Sequence, residues 1–340
     1  MAVNADISDC GNYYMKALIT GGAGFIGSHL SRKLIDKGWS VSVIDDLSTG
    51  CIENIAPLIE AGQVSFVEGD ACDAAAMDSL IADCDIVFHL AAAVGVQLIV
   101  DRPVHTIETN IHATEVVLEL ANKYKKKALL VSTSEVYGKS ENIPFREDDD
   151  TVLGSTRFSR WSYACSKAID EFLGFAYHDE FGLEVVVVRI FNTIGPRQTG
   201  QYGMVVPRFV DKALKGEDIA IYGTGKQTRC FCYVGDVVGA LIGLIEKDNT
   251  FGRVYNIGSD EEITIEALAD KVIERTGSKS KKKHLSYEEA YGKPFDDMLR
   301  RVPCLERINQ AIGYKPKLTL DETLDKIINE KQKPEAQSQG

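Results

Sequence analysis

The sequence predicts an α/β fold, in which a doubly wound parallel sheet is followed by a smaller C-terminal lobe. From Met15 onward, short apolar runs alternate with longer amphipathic segments, and this β-α-β-α order is typical of parallel sheets with right-handed crossovers. The apolar runs are almost continuous in Val, Ile and Leu, as strands buried on both faces require. After Gly195 the chain becomes richer in Gly, Pro and other turn signals, which indicates a second unit.

Six strands and four helices account for the first part of the chain. The predicted strands are 16–20, 40–45, 64–69, 85–91, 128–133 and 183–191. The predicted helices between them are 25–37, 73–82, 104–126 and 162–181. The second part predicts shorter strands at 219–222 and 254–257, and helices at 204–215, 233–247 and 264–276.

These elements predict a main domain over 15–194 and a smaller lobe over 195–330, with some segments exchanged between the two. The chain of 340 residues is long enough for one large domain with an appended lobe. Residues 1–14 and 331–340 are polar, so we expect a flexible arm and a flexible tail.

Composition and charge narrow the class of partner. The chain has 38 basic and 50 acidic residues, a net charge of −12, which disfavours nucleic acid and anionic membranes as partners. No apolar run approaches the roughly 20 residues of a membrane span. The 8 cysteines are scattered without a C-x-x-C pair, which argues against a disulfide framework or a structural metal site and favours the reducing cytoplasm.

A glycine-rich turn follows the first predicted strand. Gly21, Gly24 and Gly27 give the spacing G-x-x-G-x-x-G immediately before a helix. Glycines at this spacing allow a tight turn, a close approach of the backbone to a diphosphate, and close packing of helix on strand. The same triplet also occurs in strand-turn-helix units with no ligand, so the context has to decide.

The end of the second predicted strand supplies that context. Asp45 and Asp46 follow Gly27 by 18 and 19 residues. An acidic side chain at this position accepts hydrogen bonds from the hydroxyls of an adenosine ribose and repels a 2′-phosphate, which predicts NAD rather than NADP. Asp45 is the predicted contact and Asp46 its solvated neighbour. Asp70, at the end of the third strand, is predicted either to reach the adenine or to cap a helix.

A tyrosine and a lysine lie four residues apart in a segment that favours a helix. Tyr163 and Lys167 therefore share one helix face, whereas the other pair at this spacing, Tyr222 and Lys226, lies among glycines. A free tyrosine has a pKa of about 10. An adjacent ammonium, helped by an oxidised nicotinamide, is expected to lower the pKa of Tyr163 so that its phenolate acts as a base.

Polar residues end the fifth predicted strand. The run Ser132-Thr133-Ser134-Glu135 lies where parallel sheets bind ligands, at the carboxyl edge. Thr133 is expected to bond a sugar hydroxyl, and Glu135 to move a proton to or from an adjacent carbon.

The motifs TGGAGFIG, HLAA (89–92), STSEVYG, Y-x-x-x-K and RIFNTIGPR together resemble those of the extended short-chain dehydrogenase/reductase family of nucleotide-sugar epimerases, dehydratases and decarboxylases. The resemblance runs from Lys16 to about Ile328. It implies a seven-stranded Rossmann-type sheet, a C-terminal lobe that binds the nucleotide sugar, a retained NAD, no metal, and a homodimer formed through helices 104–126 and 162–181.

The resemblance also assigns roles by position. It implies contacts to NAD from Gly21, Gly24, Phe25, Ile26, Gly27, Asp45, Asp70, Ala91, Ala92, Ala93, Asn110, Tyr163 and Lys167. It implies catalysis by Thr133, Glu135, Tyr163 and Lys167. It implies contacts to the nucleotide sugar from Ser134, Asn192, Val206, Arg208, Arg229 and Arg301, although Pro207 in this segment is equally consistent with a simple helix start.

Oxidation of a sugar at C4 leaves three onward reactions open. Hydride return to the other face gives a 4-epimer, loss of the C5 proton and the C6 hydroxyl gives a dehydrated sugar, and a C6 carboxylate is lost as CO2. Thr-Ser-Glu at 133–135 resembles UDP-glucuronate decarboxylases and GDP-mannose 4,6-dehydratases, whereas hexose dehydratases with Thr-Asp-Glu carry an acid where this chain has Ser134.

The segment SRWSYACSK and the later RCF resemble bacterial UDP-glucuronate decarboxylases more closely, and Arg301 matches an arginine of that pattern, with Arg300 beside it. The chain departs from the family at Val302-Pro303-Cys304, where a basic residue, Pro and Asp are usual. We therefore expect UDP-glucuronate decarboxylation to UDP-xylose or a 4-keto-pentose, with a UDP-sugar 4-epimerase or a GDP-mannose-type dehydratase as alternatives. A non-catalytic dinucleotide sensor on the same fold is disfavoured because the Tyr/Lys pair is retained.

Overall fold

The computed structural model describes residues 14–95, 101–200, 204–291 and 298–333. The predicted flexible arm and flexible tail fall almost entirely outside these residues, so both stay predictions. Within the described ranges, no helix is long and apolar enough to cross a membrane.

Helices and strands alternate along the main sheet as the sequence predicts. The elements of this part are β1 (Lys16–Thr20), α1 (Phe25–Asp36), β2 (Ser40–Asp45), α2 (Ala56–Glu60), β3 (Val64–Glu68), α3 (Ala74–Asp83), β4 (Ile86–His89), α4 (Pro103–Tyr124), β5 (Lys127–Thr133), α5 (Arg160–Phe181) and β6 (Val185–Ile190). The bounds of the four predicted helices differ from the observed ones by at most two residues, and the short helix α2 was not predicted. The helix α3 begins at Asp73, whose carboxylate accepts the N–H groups of Ala75 and Ala76, and α5 ends at Gly182, which has a left-handed backbone.

The later elements are shorter. They are β7 (Thr193–Ile194), α6 (Val205–Leu214), β8 (Ile219–Tyr222), β9 (Thr228–Cys230), β10 (Cys232–Tyr233), α7 (Val234–Ile245), β11 (Arg253–Ile257), β12 (Glu262–Thr264), α8 (Ile265–Thr276), β13 (Lys282–Leu285), α9 (Tyr287–Tyr291), α10 (Glu306–Ile312) and α11 (Leu320–Lys331).

Seven strands form the central sheet in the order β11-β6-β5-β4-β1-β2-β3, and every pair in it is parallel. The predicted doubly wound parallel sheet is thus confirmed. The seventh strand, β11, is the run that the sequence pattern assigned to the second lobe as 254–257. It pairs with β6 because Val254, Tyr255 and Ile257 are apolar enough to be buried at the sheet edge.

Helices cover both faces of this sheet. On one face α1 and α7 pack over the strands with alternate residues such as Ile19 and Val186, and on the other α3, α4 and α5 pack over residues such as Leu18 and Val187. The helix α7, predicted for the second lobe as 233–247, therefore belongs to the main sheet. Strands buried on both faces explain the nearly continuous apolar runs.

A second hydrophobic cluster lies outside the main sheet. It joins apolar residues of α6, β8, α8 and α11, such as Phe209, Ile221, Leu268 and Leu324. The short pairs β12 with β9 and β13 with β8 flank it. The division at 194/195 stays a prediction. The two clusters border the cavity at the carboxyl ends of the strands, where open parallel sheets bind their ligands.

Candidate active site

A cavity of about 650 Å³ opens between the carboxyl edge of the main sheet and the second hydrophobic cluster. Most residues that the sequence singled out line this cavity. They are Gly21, Gly24, Phe25, Ile26, Gly27, Asp45, Asp70, Ala91, Ala92, Ala93, Thr133, Glu135, Tyr163, Asn192, Val206, Arg208, Arg229 and Arg301. Three others, Asn110, Ser134 and Lys167, are buried just behind its wall.

The glycine turn packs backbone against backbone. Gly21 has a φ of +73°, and a Cβ there would lie 2.8 Å from the backbone nitrogen of Ala91. A Cβ at Gly27 would lie 2.3 Å from the carbonyl oxygen of Gly21. The helix α1 then begins at Gly24 without a side-chain cap, so the N–H groups of its first turn point at the cavity. This end of the cavity is built to receive a diphosphate.

Asp45 lies at the edge of the turn, and its carboxylate is almost fully buried. Its two oxygens accept the N–H groups of Ala23 and Leu47, each at 2.9 Å. Burial raises the pKa of Asp45, and these hydrogen bonds oppose that rise. Asp46 is exposed and bonds Ser48 instead, so the two aspartates differ as the sequence predicts. The glycine turn and the carboxylate of Asp45 together fit an adenine dinucleotide.

Asp70 and Asn110 shape the wall beside this site. Asp70 accepts the N–H group of Cys72 at 2.8 Å in a turn, while the helix cap nearby is Asp73, so the alternative role of Asp70 as a helix cap is wrong. Asn110 does not line the cavity: its carbonyl accepts the N–H group of Ala93 at 2.8 Å, and its amide donates to Ser166 at 3.2 Å. Its predicted contact to the cofactor becomes, in this structure, a support for the backbone at 91–93.

Tyr163 projects from α5 into the cavity, next to the end of β5. The side chain is 8% exposed and hydrogen-bonds Thr133, whose hydroxyl also accepts the N–H group of Glu135 at 3.2 Å. Burial raises the pKa of Tyr163, and the carboxylates of Glu135 and Asp170 raise it further. In the protein without a dinucleotide, desolvation outweighs the cations nearby and the pKa of Tyr163 is raised. The expected lowering includes the charge of an oxidised nicotinamide and stays a prediction.

Lys167 lies one helical turn after Tyr163, but its ammonium is paired with a carboxylate. The Nζ atom lies 2.7 Å from Oδ2 of Asp170, and both side chains are nearly completely buried. Burial raises the pKa of Asp170, while the Lys167 ammonium and the Thr114 hydroxyl favour its ionised form. The sequence analysis missed Asp170, although its i, i+3 spacing from Lys167 on a helix would have pointed to this pair.

Glu135, whose charge acts on Tyr163, lies between two arginines. Nε and Nη2 of Arg160 each lie 3.1 Å from Oε2 of Glu135, and Nη2 of Arg301 donates to Oε1. All three side chains are largely buried. Arg300, the neighbour of Arg301, instead pairs with the exposed Glu262. Arg160 is a second residue that the sequence analysis missed, although it precedes Tyr163 by one helical turn.

The lobe side of the cavity supplies amide and guanidinium groups. The Asn192 amide donates to the carbonyl of Cys230 at 2.9 Å, and its oxygen accepts from Arg301 at 3.5 Å. Arg229 donates to the carbonyls of Thr228 and Met298 at 2.8 and 2.9 Å. These bonds hold both predicted side chains against the wall while they still border the cavity.

The helix α6 carries the remaining predicted contacts. The guanidinium of Arg208 lies 3.9 Å from the ring centroid of Tyr222, a stacking partner that the sequence did not indicate. Val206 is buried and lines the cavity, and Pro207 lies in the first turn of α6, two residues after the helix begins. Flat apolar and stacked groups of this kind suit a nucleobase.

Comparisons with known proteins agree with this arrangement. The sequence model of the family described as GDP-mannose 4,6 dehydratase matches residues 18–327. A UDP-N-acetyl-alpha-D-glucosaminuronate decarboxylase of Bacillus cytotoxicus is 40% identical over 314 residues, which cover 92% of this chain and 96% of that protein. UDP-glucuronic acid decarboxylase 1 of Xenopus tropicalis is 34% identical over 317 residues, 92% of this chain and 71% of that protein.

A solved structure shares the fold over nearly the whole chain. The UDP-glucose 4-epimerase of Thermus thermophilus, in complex with NAD, superposes with a TM-score of 0.82 at 29% sequence identity. The alignment covers 93% of this chain and 98% of that one. The similarity therefore extends over the glycine turn, the Tyr/Lys pair and the lobe together.

Proposed function

Since the chain belongs to the GDP-mannose 4,6-dehydratase family of extended short-chain dehydrogenases/reductases, we propose that it decarboxylates a UDP-linked hexuronate by way of a 4-keto sugar. The observation that carries this proposal is the placement of Glu135 between Arg160 and Arg301, at the cavity wall beside Tyr163. In this proposal, the two guanidinium groups lie near the carboxylate of the sugar, and Glu135 lies near the carbon that takes up a proton.

NAD is the proposed cofactor, held by the glycine turn, the first turn of α1 and Asp45. When bound, it supplies an acceptor for the hydride of sugar C4 and can give that hydride back. The buried carboxylate of Asp45 suits the hydroxyls of a ribose and repels a phosphate, which supports NAD over NADP.

Tyr163 is the proposed base of the first step. Its phenolate takes the proton of the C4 hydroxyl as the hydrogen at C4 leaves with its electron pair, which produces a C4 ketone. Thr133 is placed to bond the same hydroxyl, because it already hydrogen-bonds Tyr163. Lys167, which is paired with Asp170, is proposed to orient Tyr163 and to supply positive charge near it.

Loss of CO2 is the proposed second step. The C4 ketone makes the C6 carboxylate that of a β-keto acid, so the C5–C6 bond breaks and its electron pair moves into the C4 carbonyl. CO2 leaves, and C5 then takes a proton from a water molecule, whose hydroxide is neutralised by the solvent. Arg301 is proposed to orient the sugar carboxylate, and the ionised Glu135 to orient this water for the proton transfer to C5. Reduction of the ketone gives a UDP-pentose, and its release gives a UDP-4-keto-pentose.

Two substrates are supported by separate observations. The run Thr133-Ser134-Glu135 and the segment around Tyr163 support UDP-glucuronate. The 40% identity to a decarboxylase of UDP-N-acetyl-alpha-D-glucosaminuronate, above the 34% of the Xenopus enzyme, supports the 2-acetamido sugar. Cavity contacts from Asn192, Arg208 and Arg229 are proposed to bind the UDP moiety of either one.

Assembly and location complete the proposal. The helices α4 and α5 pack side by side and expose Val104, Ile169 and Phe172, the last of them 75% exposed, so we propose a homodimer through this face. Sedimentation of Phe172→Lys beside the unmodified chain tests it, because a charge at the centre of the face should favour the monomer. The reducing cytoplasm is the proposed compartment, supported by the free thiols such as Cys51 and Cys165.

The function is tested by incubating the NAD-loaded protein separately with UDP-glucuronate, UDP-N-acetylglucosaminuronate, UDP-glucose and GDP-mannose. Release of CO2 from a uronate, with the matching loss of mass, is the expected result, and the better substrate decides between the two. Loss of water from a neutral sugar would support a dehydratase instead, and an unchanged mass with a new NMR spectrum a 4-epimerase. Tyr163→Phe serves as the inactive control.

A further inference from the structure

Arg160 holds one face of the Glu135 carboxylate. Two of its nitrogens lie 3.1 Å from Oε2, and Nη2 lies 3.3 Å from Oε1, so the guanidinium approaches the carboxylate with its flat edge. Arg301 donates to the other oxygen and also reaches the hydroxyl of Ser134 at 3.4 Å. The carboxylate is therefore clamped from both sides.

The position of Arg160 is itself fixed by packing. Its guanidinium lies 5.5 Å from the ring centroid of Trp161, and Trp161 is buried. Arg160 is only 8% exposed, so its charge needs a partner and Glu135 provides it. A lysine could not replace this contact fully, because its ammonium cannot meet a carboxylate with two nitrogens.

Arg160 also ties Glu135 to the helix that carries the proposed base. Arg160, Tyr163 and Lys167 follow one another at i, i+3 and i+7 along α5 and so share one face of it. The distance between the Glu135 carboxylate and the Tyr163 hydroxyl thus depends on Arg160. The charge of Glu135 is felt at Tyr163, since it raises the pKa of that tyrosine.

We infer that Arg160 is a positioning residue that acts through Glu135, an inference that rests on the proposed function. It keeps the Glu135 carboxylate ionised and in one orientation for the proton movement that follows C4 oxidation. The oxidation of C4 itself depends on Tyr163 and needs no second carboxylate. Arg160 therefore separates the two halves of the reaction: without it, the ketone forms but is processed slowly.

The test follows the two halves separately in single turnovers of NAD-loaded protein with the better uronate. Absorbance of the reduced dinucleotide reports C4 oxidation, and the C5-protonated pentose, measured by mass after quenching, reports the later step. R160Q is expected to slow formation of this product about 10²-fold while reduced dinucleotide still forms, because only the positioned proton transfer is lost. R160K should restore part of the rate. R157Q, which removes an exposed arginine three residues earlier, should match the unmodified protein.

A double-mutant cycle decides whether Arg160 acts through Glu135. In the E135Q background, R160Q is expected to change formation of the C5-protonated product by less than about twofold, because the group it positions is already gone. An equal effect in both backgrounds, or an unchanged rate of product formation in R160Q, would overturn the inference. If R160Q loses its thermal transition, R160K is compared in the same two backgrounds.

The same measurements keep the two proposals apart. An unmodified protein that releases no CO2 from either uronate ends the proposed decarboxylation, whatever Arg160 does. An unmodified protein that releases CO2, beside an R160Q variant of equal rate, ends only the role of Arg160.

Discussion

Beneath α1 the cavity walls are backbone atoms, whereas at the other end they are charged side chains. At the first end, a single methyl group on Gly27 would lie 2.3 Å from a carbonyl oxygen. At the second end, Glu135 lies between two arginines and Lys167 lies against Asp170. We call the first region the cofactor end and the second the chemical end. The cofactor end should therefore be sensitive to substitutions that change its shape, and the chemical end to substitutions that change its charge.

The two ends also differ in what holds them together. Backbone packing at the glycine turn needs no particular protonation state, so it should be insensitive to pH. Buried ion pairs are different, since removal of one partner leaves the other charge desolvated and uncompensated. Substitutions that preserve shape but remove a charge should therefore disturb the chemical end more than the cofactor end.

Tyr163→Phe is the substitution with the largest expected effect, and it separates the two ends. It removes one hydroxyl and little volume, so turnover should fall about 10³-fold, as for loss of a positioned base, while NAD affinity stays within about twofold. Steady-state rates and a fluorescence titration with NAD measure the two quantities. Tyr177→Phe, on the same helix but away from the cavity, is the matched control. Loss of NAD binding in Tyr163→Phe would break the separation.

Gly27→Ala is the converse experiment at the cofactor end. The added methyl forces Gly21 and the start of α1 apart, and overpacking of this kind costs about 1–3 kcal/mol, so NAD affinity should fall about 10- to 100-fold. Gly239→Ala is the control, because a Cβ at that position in α7 meets no atom within 4 Å. Calorimetric titration with NAD measures both. Equal affinities for the two variants would show that the turn adapts.

How far the sequence could predict each end follows from the same physics. Glycine spacing and an acidic strand end are local signals, so the dinucleotide site could be read from Gly21, Gly27 and Asp45 alone. The strands were predictable because burial on both faces demands continuous apolar runs. An exchange of segments between the lobe and the main domain was expected, but not that β11 is one of them, because its pairing with β6 is long-range and leaves no local signature.

The chemical end was only partly predictable. Tyr163, Lys167 and Glu135 stand in recognisable motifs, but the partners that set their electrostatics do not. The role of Arg160 depends on the fold, because β5 brings Glu135 beside α5. The role of Asp170 depends on burial, because a buried charge without a partner is unfavourable. The rise in the Tyr163 pKa depends on that burial, so no spacing rule could have given its sign.

Asp170→Asn sharpens the electrostatic half of the comparison. Burial, Glu135 and Asp170 all raise the pKa of Tyr163, while Thr133 and Arg301 lower it. Neutralising Asp170 removes one raising contribution, so the acid limb of the kcat/KM profile should move to lower pH by about one unit. The groups facing residue 170 are Lys167, Glu171 and the Thr114 hydroxyl, and the variant leaves all three in place.

The pH profile of Asp179→Asn, a control on the exposed end of α5, should coincide with that of the unmodified protein. An acid limb that moves to higher pH would mean that Lys167 loses its proton when its carboxylate partner is removed. In that case Asp170 would serve mainly to keep Lys167 charged. If the chemical end were governed by shape, the acid limb of Asp170→Asn would stay in place.

Asp45→Asn has the smallest expected effect and tests a buried charge at the cofactor end. The amide keeps the shape but has a single acceptor oxygen, so it cannot accept from both Ala23 and Leu47 as the carboxylate does. Affinity for both dinucleotides should therefore fall, and the informative quantity is their ratio. Repulsion of a 2′-phosphate by one carboxylate is worth about 1 kcal/mol, so the preference for NAD over NADP should shrink about fivefold.

The direction in which the preference for NAD changes with pH makes this last prediction specific. Burial raises the pKa of Asp45, so its negative charge is lost as pH falls through a value above that of an ordinary aspartate. The preference for NAD should thus decline on acidification in the unmodified protein and in Asp46→Asn, the exposed neighbour, but stay flat in Asp45→Asn. Competition between NAD and NADP across a pH series measures it. A preference that does not change with pH in any of the three would place the discrimination in the backbone, and the cofactor end would then be governed by shape throughout.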